Sequence, residues 1–483
     1  MQRLSGTDSL FLAGETPAWH QHVAGLSILD PADAAGFGFE AVVRSVADRL
    51  PAIPKLTWRL KGSRLGLDRA VWVRDPDFDI RRHVRKVDVP APGGARETAA
   101  VVGEILGEQL DRRYPLWEIW YLDGVINGRV GFLMKYHHCL LDGVAGSGMA
   151  ALLLDFEASP PVRELPPLPA LPPDPGDTVL LLHSVARSLA APWHAAQYGF
   201  RLARRAIDVI GYARSEHPKP DVSAMVRAPR TSFNHAIGPR RAMAFTSIAK
   251  EDVQALRSRY GVKFNDIALA LCSGALRAYL DGRDELPART LTAGVPVSTR
   301  TSGDAALDNQ ISYMVVPLAT DVGDDAERLI TIARNTRAAK EMHAALQAHP
   351  IGSIGDAAPP WALAAAVRLA YESHLLSYVP GMMNTIVSNV AGPTFPLFVA
   401  GARLTGIFSA SVILEGMGVN ITVFTFADRV DFGIHVDPDL VPDPWLLADA
   451  IPRALEALMS KSELGEPTPV EDAFGVTSAR STP

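Results

Sequence analysis

The chain has 483 residues, of which 48% are apolar and 21% charged, and its formal net charge is -6. This composition excludes general disorder, and the length favours two domains over a single core. The negative net charge gives no overall attraction to nucleic acid, so we expect no nucleic-acid partner. The two cysteines can build neither a disulfide framework nor a cysteine-rich metal site, which is typical of a protein of the reducing cytosol.

The first 157 residues mix helical and extended patterns. Residues 33–50 fit a helix that ends before Pro51, and apolar residues at three- and four-residue steps predict a second helix over 97–110. Extended segments are predicted over 71–73, 78–89 and 119–122, and a turn at 127–128. We therefore expect residues 1–157 to form a mixed α and β domain.

The stretch over 129–154 joins an apolar run to a polar loop. Val130 to Tyr136 predicts a strand that ends at His137 and His138. Asp142 and Gly143 follow, before an apolar helical pattern that continues through residue 154. Loops at the ends of rigid elements are where reactive side chains usually lie. A histidine there, with an ordinary pKa near 6.5, can accept a proton at neutral pH.

Residues 158–239 connect the two predicted domains. The stretch 158–176 carries eight prolines and predicts an extended linker. Residues 178–213 are amphipathic and locally basic, with Arg201, Arg204 and Arg205 close together. Such a helix can lie on an anionic membrane surface or bridge the domains, and the sequence leaves both interpretations open.

The second domain is predicted over 240–460, again with mixed α and β patterns. Helices are expected over 250–260, 265–280, 324–346, 362–371 and 444–459, and strands over 242–248, 291–297, 311–318, 385–390, 403–413, 419–426 and 430–436. Residues 461–483 are predicted to be a disordered tail. We expect no signal peptide and no membrane span, so any membrane association would be peripheral.

Three chemistries are conceivable at the histidine pair. A metal site is disfavoured, because adjacent histidines at a strand end point to opposite sides and no third ligand stands at a familiar spacing. Cys139 suggests a thiol nucleophile, but Leu140 and Leu141 beside it suggest a small apolar filler. A histidine acting as general base towards an attacking hydroxyl fits better. The His-x-x-x-Asp spacing alone would also suit an ordinary polar loop.

Several motifs in order resemble one family. Residues 137–143 (HHCLLDG) resemble the HHxxxDG motif of the bacterial wax ester synthase/diacylglycerol acyltransferase family. Further similar blocks are LSGTD with FL over 4–12, PLW at 115–117, ND at 265–266, PVSTR at 296–300, SNVAGP at 388–393 and the segment 421–437. Ala391, where many members have proline, and Asp308–Asn309, where many have Gly–Asn, are departures. The resemblance covers nearly the whole chain.

This resemblance implies two α/β domains with mixed sheets and the chloramphenicol acetyltransferase-like fold, with a tunnel between them. It implies that His138 is the general base, that His137 shapes the site and that Asp142 holds the loop. Gly143, Asn265, Asp266 and Arg300 would support the site, and Ser388 and Asn389 would lie beside the substrate. Asn265 and Asp266 also suit a helix N-terminus, and Pro115 and Trp117 also suit core packing.

The resemblance further implies transfer of a long-chain acyl group from acyl-CoA to diacylglycerol, with no cofactor and no metal. Long-chain alcohols, giving wax esters, are the alternative acceptors. A cytoplasmic protein bound peripherally to the inner face of the plasma membrane or to lipid droplets is expected. Two other classes remain open, a peptide-forming condensation-type enzyme and a catalytically silent lipid-binding protein of the same fold. The first would normally adjoin a carrier domain, and we expect none here.

Overall fold

A computed structural model of the protein describes residues 2–62, 68–140, 153–159, 174–183, 185, 228–298, 311–345, 360–372, 381–468 and 473–475. The predicted helix after Asp142, most of the proline-rich linker and most of the stretch 178–213 lie outside these residues. Among the described residues, no helix is both long enough and apolar enough to cross a membrane.

Fifteen strands are described. They are β1 (Gln2–Arg3), β2 (His22–Asp30), β3 (Trp58–Lys61), β4 (Val71–Arg74), β5 (Val84–Asp88), β6 (Trp117–Asp123), β7 (Val130–His137), β8 (Ala242–Ala249), β9 (Thr292–Ser298), β10 (Ile311–Pro317), β11 (Thr385–Ala391), β12 (Phe398–Val399), β13 (Ala402–Ala410), β14 (Val419–Phe426) and β15 (Arg429–Val436).

The described α-helices lie on both halves of the chain. They are α1 (Gly6–Gly14), α2 (Phe39–Arg49), α3 (Ile80–His83), α4 (Ala95–Gly107), α5 (Lys250–Tyr260), α6 (Phe264–Asp281), α7 (Asp325–Ala345), α8 (Pro360–Glu372) and α9 (Trp445–Lys461). Most begin or end within a few residues of the predicted bounds. For example, Asp324 Oδ1 accepts from the amides of Ala326 and Glu327 and so caps α7, as the acidic pair there suggested.

Two six-stranded mixed sheets organise the fold, which is the predicted fold class. The N-terminal sheet has the order β12-β13-β2-β7-β6-β5, and the C-terminal sheet the order β10-β9-β11-β14-β15-β8. Among the paired strands of the N-terminal sheet, only β5 and β6 are parallel. In the C-terminal sheet, β11 is parallel to both β9 and β14. A small three-stranded sheet, β1-β4-β3, stands apart from both.

Strand β13 crosses from the second half of the chain into the first. It pairs antiparallel with β2 over Ala24 to Asp30, with a register shift between Leu404 and Gly406. The predicted domain over 240–460 is therefore not one spatial unit, because β12 and β13 complete the N-terminal sheet. The sequence pattern could show that 402–410 is a strand but not which sheet receives it, since pairing partners are set by tertiary structure.

Helix α4 packs between the two sheets. Its buried residues Val102 and Leu106 share a hydrophobic cluster with Leu133 of β7 and with Met243 and Phe245 of β8. Gly103 allows this approach, since a Cβ there would lie 2.8 Å from the carbonyl oxygen of Arg241. The helix thus joins both halves of the protein just behind the strand that ends at the histidines.

Two predicted elements differ from the structure. The helix predicted over 33–50 begins only at Phe39, because Gly36 adopts a left-handed φ of 73° before it. The extended segment predicted over 78–89 contains the single-turn helix α3, started by Asp79, whose side chain accepts from the amide of Arg81.

The tail predicted to be disordered is packed where it is described. Phe474 is 1% exposed and stacks on Phe245 with ring centroids 5.6 Å apart. Thr468 donates its amide and its hydroxyl to the carboxylate of Asp252. A single buried aromatic residue in a polar segment carries too weak a sequence signal to predict this docking.

Candidate active site

The histidine pair stands at the end of β7, between two strands that fix its position. The amide of His137 donates to the carbonyl of Leu116 at 3.0 Å, and the amide of His138 donates to the carbonyl of Gln21 at 2.8 Å. Because these two carbonyls precede β6 and β2, both neighbouring strands hold the turn that follows β7. Leu116 belongs to the PLW block, so that block sets the position of His137.

Trp117 of the same block is fully buried and anchors this end of β6. Its indole nitrogen donates to the carbonyl of Leu56 at 2.7 Å, and its ring stacks on His83 with centroids 4.6 Å apart. His83 Nδ1 lies 2.8 Å from the carbonyl of Trp117. Core packing therefore explains Trp117, with an indirect effect on the site through strand position.

His137 is fully buried, with a side-chain exposure of 0%. Its Nδ1 accepts a hydrogen bond from the amide of Cys139 at 3.1 Å, so that nitrogen carries no proton. The proton of the neutral ring therefore lies on Nε2, which is 3.7 Å from Glu15 Oε2. This distance is longer than a hydrogen bond, so the carboxylate acts on the ring through its charge.

Glu15 is a buried carboxylate that stays ionised. Burial raises its pKa, but the interactions with His137 and then with Arg112 outweigh burial and lower the pKa to about 2. Arg112 donates from Nε and Nη2 to Glu15 Oε2 at 2.9 and 2.6 Å. A negative charge is thus fixed beside the fully buried histidine.

His138 is partly exposed as a residue, whereas His137 beside it is buried. The ring of Phe11 stacks on it with centroids 4.1 Å apart and an interplanar angle of 17°. A stacked imidazole on a partly exposed residue is better placed to accept a proton from a bound hydroxyl than one on a fully enclosed residue.

Cys139 is enclosed in the core, with 1% exposure. Burial first, and then the carboxylates of Asp8 and Glu15, raise the pKa of its thiol well above the ordinary value. The thiolate is the reactive species of cysteine, so this environment opposes a thiol nucleophile and supports the apolar-filler interpretation.

The other buried histidines nearby are held by backbone carbonyls. His20 Nδ1 and His22 Nε2 lie 3.2 and 3.0 Å from the carbonyl of Leu106, and His435 Nδ1 lies 2.6 Å from the carbonyl of Ser411. Burial lowers the pKa of all three, that of His435 to about 3. They are neutral at pH 7 and serve packing between the two halves.

Several residues predicted for the site lie elsewhere or outside the described part of the chain. Asp142, Gly143 and Arg300 fall outside the described residues. Asp266 is the third residue of α6, where its Oδ2 accepts from the amide of Lys263 at 2.9 Å, and Asn265 is the second. The helix N-terminus interpretation therefore explains Asp266.

Ser388 and Asn389 lie in the last half of β11, opposite Thr422 and Val423 of β14. Ser388 is partly buried and Asn389 exposed. Within the described ranges, no hydrogen bond, ion pair or ring contact joins either of them, or Asn265 and Asp266, to the histidines.

Two partners of the histidines were not predicted to belong to the site. Phe11 belongs to the N-terminal block that resembles the family, and no sequence motif includes Glu15. Both lie more than 120 residues from the histidines along the chain, and no local periodicity signals such a contact. In the described part of the chain, no three His, Cys, Asp or Glu side chains come together as a metal site would require.

Comparison with known proteins supports the family resemblance along most of the chain. The wax ester synthase/diacylglycerol acyltransferase catalytic domain matches residues 4–268, and the C-terminal domain of the same family matches residues 307–459. The histidine motif and the N-terminal sheet fall within these ranges, as does the C-terminal sheet except for β9.

Relatives that match nearly the whole chain agree with this family assignment. A putative diacylglycerol O-acyltransferase of Mycobacterium tuberculosis is 33% identical over 466 residues, covering 96% of this chain and 91% of the relative. A probable diacylglycerol O-acyltransferase of the same species is 33% identical over 445 residues, covering 90% and 93%.

Among solved structures, the wax ester synthase/diacylglycerol acyltransferase from Marinobacter aquaeolei VT8 superposes with a TM-score of 0.68 at 26% identity, covering 96% of this chain and all of that one. The first condensation domain of the calcium-dependent antibiotic synthetase, at 13% identity and a TM-score of 0.54 over 95% of this chain and 96% of that one, shares the fold. The chain belongs to the wax ester synthase/diacylglycerol acyltransferase family and is an acyl-CoA-dependent O-acyltransferase.

Proposed function

We propose that this enzyme transfers a long-chain fatty acyl group from acyl-CoA to the hydroxyl of diacylglycerol, with His138 as general base. The observation that carries the base assignment is the contrast within the pair. His137 is fully enclosed, while His138 is partly exposed, stacked on Phe11 and held by its amide at the strand end.

The reaction is a direct transfer. The imidazole of His138 takes the proton of the hydroxyl as its oxygen attacks the thioester carbonyl carbon, the C–S bond breaks, and coenzyme A leaves as its thiol after protonation. No covalent acyl-enzyme is needed, and the raised pKa of Cys139 is consistent with this. A base in this position contributes roughly two to four powers of ten in rate.

Diacylglycerol is favoured as acceptor because the mycobacterial relatives, which match nearly the whole chain at 33% identity, are named as diacylglycerol O-acyltransferases. Long-chain alcohols are the second candidate, favoured by the name of the matching Marinobacter structure. The two substrates would meet at His138 in a tunnel between the two halves.

The test is acyl transfer from labelled palmitoyl-CoA to diacylglycerol or hexadecanol, supplied separately. The wild type should form triacylglycerol, and His138→Ala should lose at least about 100-fold in rate while its thermal unfolding is unchanged. His235→Ala is the matched control, because His235 is an exposed histidine of the second half. Full activity of the H138A variant would exclude the base assignment, and ester formed only from hexadecanol would make the enzyme a wax ester synthase.

The same assay on purified protein distinguishes the two alternative functions, the silent lipid-binding protein and the condensation-type enzyme. Absence of either ester from folded wild-type protein, with lipid still bound, would indicate the silent lipid-binding protein. Acyl transfer to an amine in place of a hydroxyl would indicate the condensation-type reaction.

Peripheral contact with a membrane or lipid droplet belongs to this proposal, since both substrates are apolar. Residues 177–183 are helical, and Val179, Leu182 and Val185 are 45%, 67% and 45% exposed. Exposed aliphatic side chains on one segment can insert into the lipid interface. Co-sedimentation with phosphatidylglycerol vesicles should fall in the L182E variant and not in L446E, which changes an exposed leucine of α9. Equal sedimentation of both variants would assign the contact elsewhere.

A further inference from the structure

Both histidines of the pair are contacted by side chains from one short N-terminal segment. Phe11, in α1, stacks on His138, and Glu15, the residue that ends α1, lies beside Nε2 of His137. We propose that Glu15 and Phe11 are positioning residues of the catalytic turn, Glu15 acting through the tautomer of His137 and Phe11 through the ring plane of His138. This inference rests on the proposed role of His138.

The first step concerns the tautomer of His137. Its Nδ1 accepts from the amide of Cys139 at 3.1 Å, which requires Nδ1 to be unprotonated. The carboxylate of Glu15 stabilises the tautomer with the proton on Nε2, because Nε2 lies 3.7 Å from the negatively charged Oε2. With the proton on Nδ1, two N–H groups would face each other.

The second step carries this effect to His138. The hydrogen bond from Cys139 to the ring of His137 spans the residue between them, which is His138. The amide of Leu140 also donates to the carbonyl of His137 at 2.9 Å, closing the same turn. Loss of the correct tautomer would therefore release the backbone on which His138 is mounted.

The third step explains why Glu15 stays in place. Its side chain is 3% exposed, and Arg112 holds Oε2 with two nitrogens while also donating from Nη2 to the carbonyl of Leu12 at 2.8 Å. One arginine thus fixes the end of α1 and the carboxylate together. Glu15 Oε1 is buried and has no hydrogen-bond partner among the described residues, so this carboxylate is not explained by packing needs alone.

The fourth step concerns Phe11, which precedes the carbonyl bound by Arg112 by one residue. Its ring covers one face of the His138 imidazole at 4.1 Å, nearly parallel. A stacked partner restricts rotation of the imidazole about its χ2 angle. The same helix therefore fixes both the backbone and the ring of the proposed base.

The experiment compares kcat and KM for palmitoyl-CoA and diacylglycerol in five variants. Glu15→Ala should lower kcat by about 10- to 100-fold with KM nearly unchanged, since a misplaced catalytic group costs rate and not binding. Glu15→Gln should recover part of this, because its amide oxygen still places a partial negative charge near Nε2. Phe11→Leu should lower kcat, and Phe11→Trp should restore it. Glu40→Ala is the matched control, since it breaks a surface pair with Arg81 in which both side chains are exposed.

A spectroscopic readout separates positioning from a merely structural role. Nitrogen-15 NMR of histidine-labelled protein, with His137→Gln to identify the signals, should show His137 protonated on Nε2 in the wild type and a mixed tautomer in E15A. Wild-type kcat in E15A and F11L, or an unchanged tautomer with activity lost only through unfolding, would overturn the inference. If H138A kept full activity, the proposed base itself would be wrong, which is a separate outcome.

Discussion

Gly433 of β15 crosses Ser409 of β13 so closely that a Cβ on Gly433 would lie less than 3.0 Å from the carbonyl oxygen of Ser409. The two strands belong to different sheets, so this is a point where the halves of the protein touch backbone to backbone. Asp431, two residues earlier, accepts from the amide of Ile407 at 2.8 Å across the same junction. The junction fixes how the two sheets face each other around the active site.

Gly433→Ala should be severely destabilising. The added methyl group would overlap a backbone atom, which cannot move aside like a flexible side chain, and we expect a loss of about 3 kcal/mol or more. Urea unfolding followed by circular dichroism measures this loss. The control is Gly25→Ala in β2, where a Cβ would meet nothing within 4 Å. Equal stability of the two variants would contradict the close crossing.

Ionisation of Glu15 makes the free energy of unfolding depend on pH in the acidic range. Its folded pKa of about 2 is below the ordinary 4.5, so its contribution is fully present above pH 4.5 and is lost as pH falls towards 2. The shift corresponds to about 3 kcal/mol. The unfolding free energy of the wild type should therefore approach that of E15Q between pH 5 and pH 3, as measured by urea titrations. A difference that stays constant over this range would show that the carboxylate is not held in its ionised form.

Both cysteine thiols should be unreactive in the folded protein. Burial raises the pKa of Cys139 well above the ordinary value and that of Cys272 to about 12. Ellman's reagent at pH 8 should label neither thiol until denaturant is added, and then both. Cys139→Ala should retain more than about half of wild-type turnover, since a buried protonated thiol is not a nucleophile. Loss of turnover in a folded C139A variant would reopen the thiol mechanism.

Lys135 is a buried cation that closes the end of α4. Its Nζ donates to the carbonyls of Ile105 and Glu108 at 2.8 and 2.6 Å, where a positive charge also matches the helix dipole. Lys135→Met should cost about 2 kcal/mol or more, because two carbonyls lose a charged donor. Chemical denaturation checks this, with Lys86→Met, a lysine paired with Asp123 at the surface, costing less than about 1 kcal/mol. Similar losses in both would indicate that the Lys135 bonds contribute no more than a surface pair.

Most helices and strands could be predicted from the sequence, because apolar periodicity and capping residues are local features. Helix α5 begins and ends at the predicted residues, and the hairpin of β14 and β15 lies where alternation predicted it. The predicted bounds were wrong where single residues changed the backbone locally. Gly36 adopts a left-handed φ before α2, and Asp79 starts one turn of helix inside a stretch predicted to be extended. The roles that the family resemblance implies for Asp142, Gly143 and Arg300 remain predictions.

The sequence by itself determined the family, the histidine motif and the strand that presents it, because ordered motifs and apolar alternation are properties of neighbouring residues. Only the tertiary structure decided that His137 is buried while His138 is partly exposed. It also decided that Glu15 lies beside His137 and Phe11 stacks on His138, and that β13 pairs with the first sheet. Those contacts connect residues far apart in the chain, and their energies depend on burial and approach distances that arise only when the sheets and α4 pack together.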